Sequence, residues 1–79
     1  MVTRDPGILG GEPTIRGSRI AVRSIARAFE IYGNRDRVIQ AFPSLRPEQI
    51  DAALRFYKAN RDLVKRYIEE NETAAYADS

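Results

Sequence analysis

Hydrophobic positions along this chain follow two different patterns, and the change falls at Val22. From there Val22, Ile25, Ala26 and Phe29 recur at i, i+3, i+4 and i+7, one face of a helix, with Arg23, Arg27 and Glu30 on the opposite face. Gly33 after Tyr32 suits a helix stop, and Asn34 can cap a second short helix over about 35–42. That helix turns Val38, Ile39 and Phe42 inward and ends before Pro43, because proline disfavours a helical residue ahead of it. A third helix starts at Pro47, a favoured first-turn position, with Glu48 at the positive end of the dipole. Its inner face is Ile50, Ala53, Leu54 and Tyr57, while Ala52 and Phe56 fall outside that stripe. Asn60 either stops this helix and caps a fourth from Arg61, or is crossed by one rod over 47–70. Leu63, Val64, Tyr67 and Ile68 form the last apolar face. From Asn71 the periodicity is lost, and 71–79 reads as a flexible tail.

Ahead of Val22 the pattern is turn chemistry. Residues 7–22, GILGGEPTIRGSRIAV, hold four of the five glycines. Ile15 and Ile20 lie on short β-prone runs separated by Gly17-Ser18, which predicts a hairpin within 13–21, with strands near 14–16 and 19–21. Glycine at the first centre of a two-residue loop fits a type II′ turn. Gly10-Gly11 and Pro13 read as a tight loop. The segment is no phosphate cradle, because it lacks the G-x-x-x-x-G-K-[ST] spacing. The fold expected is mainly α: a three- to four-helix, helix-turn-helix-like bundle preceded by a short β-hairpin, one domain over 1–70. Helices two and three, joined by Pro43-Ser44-Leu45-Arg46, have the turn length of a helix-turn-helix unit. Leu45 plugs that turn into a core of Ile20, Val22, Ile25, Phe29, Val38, Ile39, Phe42, Ile50, Leu54 and Tyr57.

Composition narrows the function. At 79 residues the chain is near the size at which a core suffices without staples. It has no cysteine and no histidine, so disulfides, thiolate metal sites and the commonest general base are all missing. The acids are scattered over helix faces, and the neighbouring Glu69, Glu70 and Glu72 do not converge on one point. No catalytic residue, metal, cofactor or small-molecule substrate is expected. No apolar run approaches the roughly 18 residues of a membrane span. MVTRDPG has no signal-peptide core, so the expected location is cytoplasmic. A marginal core implies that a partner supplies burial, and a homodimer on Phe56, Leu63, Tyr67 and Ile68 is expected.

Charge is distributed unevenly. Residues 1–46 carry eight arginines against four acids, whereas 47–79 carry five basic and seven acidic residues. The candidate DNA contacts are therefore Arg16, Arg19, Arg23 and Arg27, a basic strip along the ribbon turn and helix one. Helix three offers a second set, Arg46, Gln49, Arg55 and Lys58, but its first turns also carry Glu48 and Asp51, which repel phosphate.

The run DPGILGGEPTIRGSRIAV, with AFPSLRPEQIDAAL after one helix, resembles the prokaryotic domain-of-unknown-function family 433 over about residues 4–58. The glycine-rich block of that family falls on Gly11, Pro13, Gly17, Arg19 and Val22. Its later block falls on Pro43, Leu45, Glu48, Ile50, Ala53 and Leu54. Glu12 departs from the family's Lys or Arg, Ser18 from its Thr and Ala21 from its Pro, and Arg46 replaces a capping hydroxyl. The resemblance implies a homeodomain-like or winged-helix-like fold. It also implies a VapB-like antitoxin that neutralises a PIN-like ribonuclease toxin and binds operator DNA to repress its own operon. The alternative is a protein-interaction module that masks a partner without touching DNA. On the antitoxin reading the toxin-facing surface is Phe56, Arg61, Leu63, Val64, Lys65, Arg66, Tyr67 and Ile68, because apolar anchors with guanidinium groups among them suit an interface hot spot.

Overall fold

The computed structural model describes residues 1–7 and 9–77. Two short strands, β1 (Val2–Thr3) and β2 (Thr14–Ile15), are followed by four helices: α1 (Val22–Tyr32), α2 (Arg35–Ala41), α3 (Pro47–Ala59) and α4 (Arg61–Ala77). The fold is mainly helical with a short antiparallel ribbon in front, as the patterning predicts.

The ribbon is built differently from a simple hairpin. Residues 14–15 form its middle, pairing on one edge with β1 in the register Val2 to Ile15 and Thr3 to Thr14. On the other edge the returning chain makes a single antiparallel bridge between Thr14 and Ala21. Around that bridge the Ile15 N–H donates to the Ile20 carbonyl at 3.0 Å and the Val22 N–H to the Pro13 carbonyl at 2.9 Å. The expected strand near 19–21 is thus reduced to one bridge, and β1 takes the other edge. The turn also differs from type II′. The Ser18 N–H donates to the Ile15 carbonyl, which makes Gly17 the third of four turn residues, with φ 83°. Positive φ at the third position is the requirement of a type II turn. The Ser18 hydroxyl completes it, donating to the Ile15 carbonyl at 3.0 Å and accepting from the Ile20 N–H at 3.2 Å.

Helix α1 has no side-chain cap at Ala21, so the Pro13 carbonyl of the ribbon receives its first N–H instead. It ends where expected: Gly33 is left-handed at φ 63°, and its N–H reaches the Phe29 carbonyl at 2.7 Å. Asn34 then caps α2, its side-chain oxygen accepting from the N–H groups of Asp36 (2.8 Å) and Arg37 (3.3 Å). Asn60, outside the helical region at φ −137° and ψ 47°, separates α3 from α4, so the single-rod alternative over 47–70 is excluded. Helix α4 runs past Asn71 to Ala77. Asn71 does not stop it, because its side-chain amide donates back to the Tyr67 carbonyl at 2.8 Å. Residues 78 and 79 of the expected tail lie outside the described residues.

Helix α1 is the hub, packed against α2, α3 and α4 alike. The core joins Ile15, Val22, Ile25, Ala26, Val38, Leu45, Ile50, Ala53, Leu54, Tyr57, Val64 and Ile68. Ile20, Phe29, Ile39 and Phe42, expected in the core, are only half-buried and pack around it. Ile15 takes a central place instead, because it lies mid-ribbon with β1 on one edge and the returning chain on the other.

Leu54→Ala is expected to destabilise the fold by about 2–5 kcal/mol, read by urea denaturation. Gly17→Ala is expected to cost about 1–2 kcal/mol, from the left-handed backbone alone. A Cβ there meets no atom within 4 Å, so a larger loss would contradict the open surroundings of the turn.

Candidate functional site

The two arginines of the ribbon turn, Arg16 and Arg19, are exposed on either side of Gly17-Ser18. The expected continuation of the basic strip along α1 is interrupted. Arg23 turns back toward the ribbon and forms an ion pair with Glu12. Glu12 is 4% exposed, although a carboxylate on a glycine-rich turn would be expected in solvent. The Arg23 Nε lies 2.5 Å from the Glu12 Oε1, and both atoms are shielded from solvent. Burial raises the Glu12 carboxyl above its ordinary pKa. The positive charge of Arg23 pulls it partway back, and Glu70 of α4 adds a small upward push. One turn further on, Arg27 pairs with Glu30 at 3.3 Å. The other carboxylate oxygen of Glu30 accepts from the Tyr57 hydroxyl at 2.9 Å, and burial together with this carboxylate raises the phenol's pKa.

Sequence reasoning missed Glu12 as a buried residue. Its signal was indirect: an acid between Gly10-Gly11 and Pro13, at a position where the family pattern carries a base. The same loop is tied to α4 by Arg4, which donates to the Gly11 carbonyl at 2.9 Å and to the Tyr67 hydroxyl at 3.1 Å.

On α3 the expected contacts divide in two. Arg46 sits at the N-cap, and its backbone N–H donates to the Gln49 side-chain oxygen at 2.8 Å. Gln49 is therefore engaged in capping, and arginine has no acceptor to return the bond. Arg55 and Lys58 are exposed farther along. Asp51 accepts two hydrogen bonds from the Arg35 guanidinium, at 2.6 and 2.9 Å, and these hold its carboxyl below the usual range. This bidentate contact ties the start of α2 to α3.

The expected partner face on α4 needs correction. Val64 is 1% and Ile68 9% exposed, both within the core. Their stripe covers the side of α1 that α2 and α3 leave open, so neither residue is available for docking. Tyr67 is half-buried under Arg4, and Phe56 and Leu63 are half-buried. Arg61, Lys65 and Arg66 remain exposed, with the Arg61 guanidinium 5.8 Å from the centre of the Tyr57 ring.

The surface that does stay open lies along α1. A groove of about 470 Å³ runs between α1, the end of α2 and α4, lined by Ser24, Ala28, Ala41, Phe42 and the margin of Ile68. Ile31 and Tyr32 stand at its edge, 63% and 46% exposed. Among the described residues no group of acids is placed to hold a metal ion, and no helix is long and apolar enough to cross a membrane.

The chain thus combines a four-helix module, a ribbon in front, an apolar groove and exposed arginines. Its sequence belongs to the family described as "Protein of unknown function (DUF433)", whose profile matches residues 2–57. The chain is also 38% identical over 60 residues to uncharacterized protein y4eO of Sinorhizobium fredii (strain NBRC 101917 / NGR234). That match covers 76% of this chain and 27% of the relative, so the chain spans about a quarter of the relative's length. No solved structure matches it.

The Glu12–Arg23 pair generates a pH-dependent expectation. Because the carboxyl's pKa is raised in the fold, its contribution to stability is fully present below the unfolded value and is lost as pH rises through the folded value. Arg23→Ala removes the offsetting charge and should cost about 1–3 kcal/mol at pH 7. That loss should shrink below pH ~4.3, where Glu12 is protonated in both states. The double variant with Glu12→Gln should recover much of it. Chemical denaturation at both pH values checks each point.

Proposed function

We propose that this chain is the antitoxin of a type II toxin–antitoxin pair, acting in the cytoplasm. It masks a PIN-like ribonuclease toxin and binds operator DNA to repress its own operon, in the manner of VapB-like proteins. The carrying observation is the pairing of two surfaces on one small bundle: the open groove on α1, and the exposed arginines of the turn and α3. The α2–α3 pair, locked by Arg35 and Asp51, has the connectivity of a helix-turn-helix. Arg16 and Arg19 with Arg55 and Lys58 are the phosphate contacts of this reading. Arg23, Arg27 and Gln49 drop to a lesser role because each is engaged within the chain. Self-association as a homodimer belongs to the same proposal, through Phe56 and Leu63, the members of the expected apolar set that stay partly exposed outside the Arg4–Tyr67 contact.

The engagement of those three residues favours a second reading, a partner-masking module that does not touch DNA. Titration against the operon's own promoter fragment separates the two. On the first reading, reversing both charges with Arg16→Glu and Arg19→Glu weakens binding to all sequences alike. The salt dependence also flattens, by about one unit of slope for each phosphate that is no longer neutralised. If the parent chain does not bind the fragment in low salt yet silences the neighbouring nuclease, the second reading replaces the first. If it silences no nuclease, the antitoxin assignment fails.

A further inference from the structure

Asn60 alone stands between the end of α3 at Ala59 and the start of α4 at Arg61. The helical ladder is nearly intact around it. Its carbonyl accepts from the Val64 N–H at 3.0 Å, as in a continuous helix, while its own N–H turns to the Tyr57 carbonyl, three residues back, at 3.1 Å. In a continuous helix that N–H would reach the Phe56 carbonyl, four residues back. Here the Asn60 side-chain amide donates to that carbonyl instead, at 3.0 Å. The bend therefore displaces one backbone bond, and the asparagine side chain replaces it. The apolar stripe also stays in phase across the bend. Ile50, Leu54, Tyr57, Val64 and Ile68 follow one another at steps of four, three, seven and four, the spacing of a single helix face on which Arg61 is the one polar position.

Straightening Asn60 alone would join α3 and α4 into one rod over 47–77, about 45 Å long. In a single chain this form is disfavoured by burial. It carries Val64 and Ile68, 1% and 9% exposed in the bundle, away from α1, and it uncovers the face of α1 that they shield. Two copies about a two-fold axis remove both costs together. We infer that α4 is an exchangeable arm: opening at Asn60 seats it on α1 of a second copy, whose α4 returns to the first. The contacts of α4 with α1 re-form between copies, and so does the hydrogen bond from Arg4 to the Tyr67 hydroxyl. The family profile ends at Tyr57, ahead of the hinge, so the arm is an element beyond the part of the chain that the profile describes. Exchange also adds a contact that the closed chain lacks. Phe56 and Leu63, both half-buried, lie seven positions apart on either side of Asn60, so the rod places them on one face beside the hinge. There the two rods meet near the axis. The inference supplies a structural route to the homodimer proposed above, and rests on neither the toxin nor the DNA.

Closing within one chain competes with exchange at an effective concentration on the order of millimolar, because the tether is so short. Sedimentation from micromolar to millimolar concentration therefore reads the equilibrium, on the parent chain, Asn60→Ala and Asn60→Gly. Both variants lose the side-chain amide, so they differ in helix preference, which favours alanine about fivefold at each hinge. With two hinges per dimer, the dissociation constant of Asn60→Ala is expected to lie about 25-fold below that of Asn60→Gly. Circular dichroism and thermal melting check that each variant folds. The Asn60→Ala dimer is then assembled from isotope-labelled and unlabelled chains, and nuclear Overhauser contacts are filtered for pairs between chains. Contacts between the apolar side chains of α1 and those of Val64 and Ile68 are expected in that filtered set. A dimer in which they stay within one chain overturns the exchange and leaves surface association through Phe56 and Leu63. Equal dissociation constants for the two variants also overturn it. A parent chain that remains monomeric at millimolar concentration overturns both the exchange and the homodimer.

Discussion

Burial of helix α1 is the constraint on which the rest of the molecule depends. At 11 residues it is too short to be stable alone in water, so its apolar stripe must be covered from outside. Helix α3 covers one side through Ile50, Ala53, Leu54 and Tyr57, and α4 covers another through Val64 and Ile68. The ribbon closes the N-terminal end, placing Ile15 in the core and the Pro13 carbonyl over the first N–H of the helix. The turn chemistry ahead of Val22 thereby has its explanation. A helix whose N-cap, Ala21, has no side-chain acceptor needs a backbone one, and a chain folding back on itself supplies it. The glycines make that reversal possible within a few residues.

Ion pairs serve structural ends here that a reading of net charge assigns to function. Arg23 offsets the buried Glu12, Arg35 clamps Asp51 across the helix-turn-helix pair, and Arg27 joins the Glu30–Tyr57 contact. These pairs hold the ribbon, α2 and α3 to their neighbours. The same pairs reduce the basic strip to its turn end, Arg16 and Arg19, and leave Arg55 and Lys58 as a separate set on α3. They also explain why the first half of the chain carries excess arginine without presenting one continuous basic face.

The surface left for a partner follows from the same packing. Once α4 has committed Val64 and Ile68 to α1, the large apolar side chains exposed among the described residues are Met1 and, on α1, Ile31 and Tyr32. The proposed docking surface thereby moves from the C-terminal helix to the groove beside it, which is lined from α1, α2 and α4 together. The polar residues of α4, Arg61, Lys65 and Arg66, keep their exposure and can still border a bound protein.

Local signals in the sequence determined the elements. Gly33, Asn34, Pro47 and Asn60 set the helix boundaries, because caps and stops depend on the conformational limits of one residue and its near neighbours. The stripes of α1 and α3 identified most of the core for a similar reason, since helical periodicity is a property of spacing alone. Tertiary structure decided the remainder. The two residues of β1 are too few to show alternation, and they pair with β2 only because the intervening loop returns there. Glu12 has no local mark of burial; its environment is made by Arg23, 11 positions later, and by α4. The apolar face of α4 has the same spacing whether it meets a partner or its own α1, and only the packed bundle distinguishes the two. Spacing states which side chains share a face, whereas what that face meets depends on contacts between residues distant in the chain.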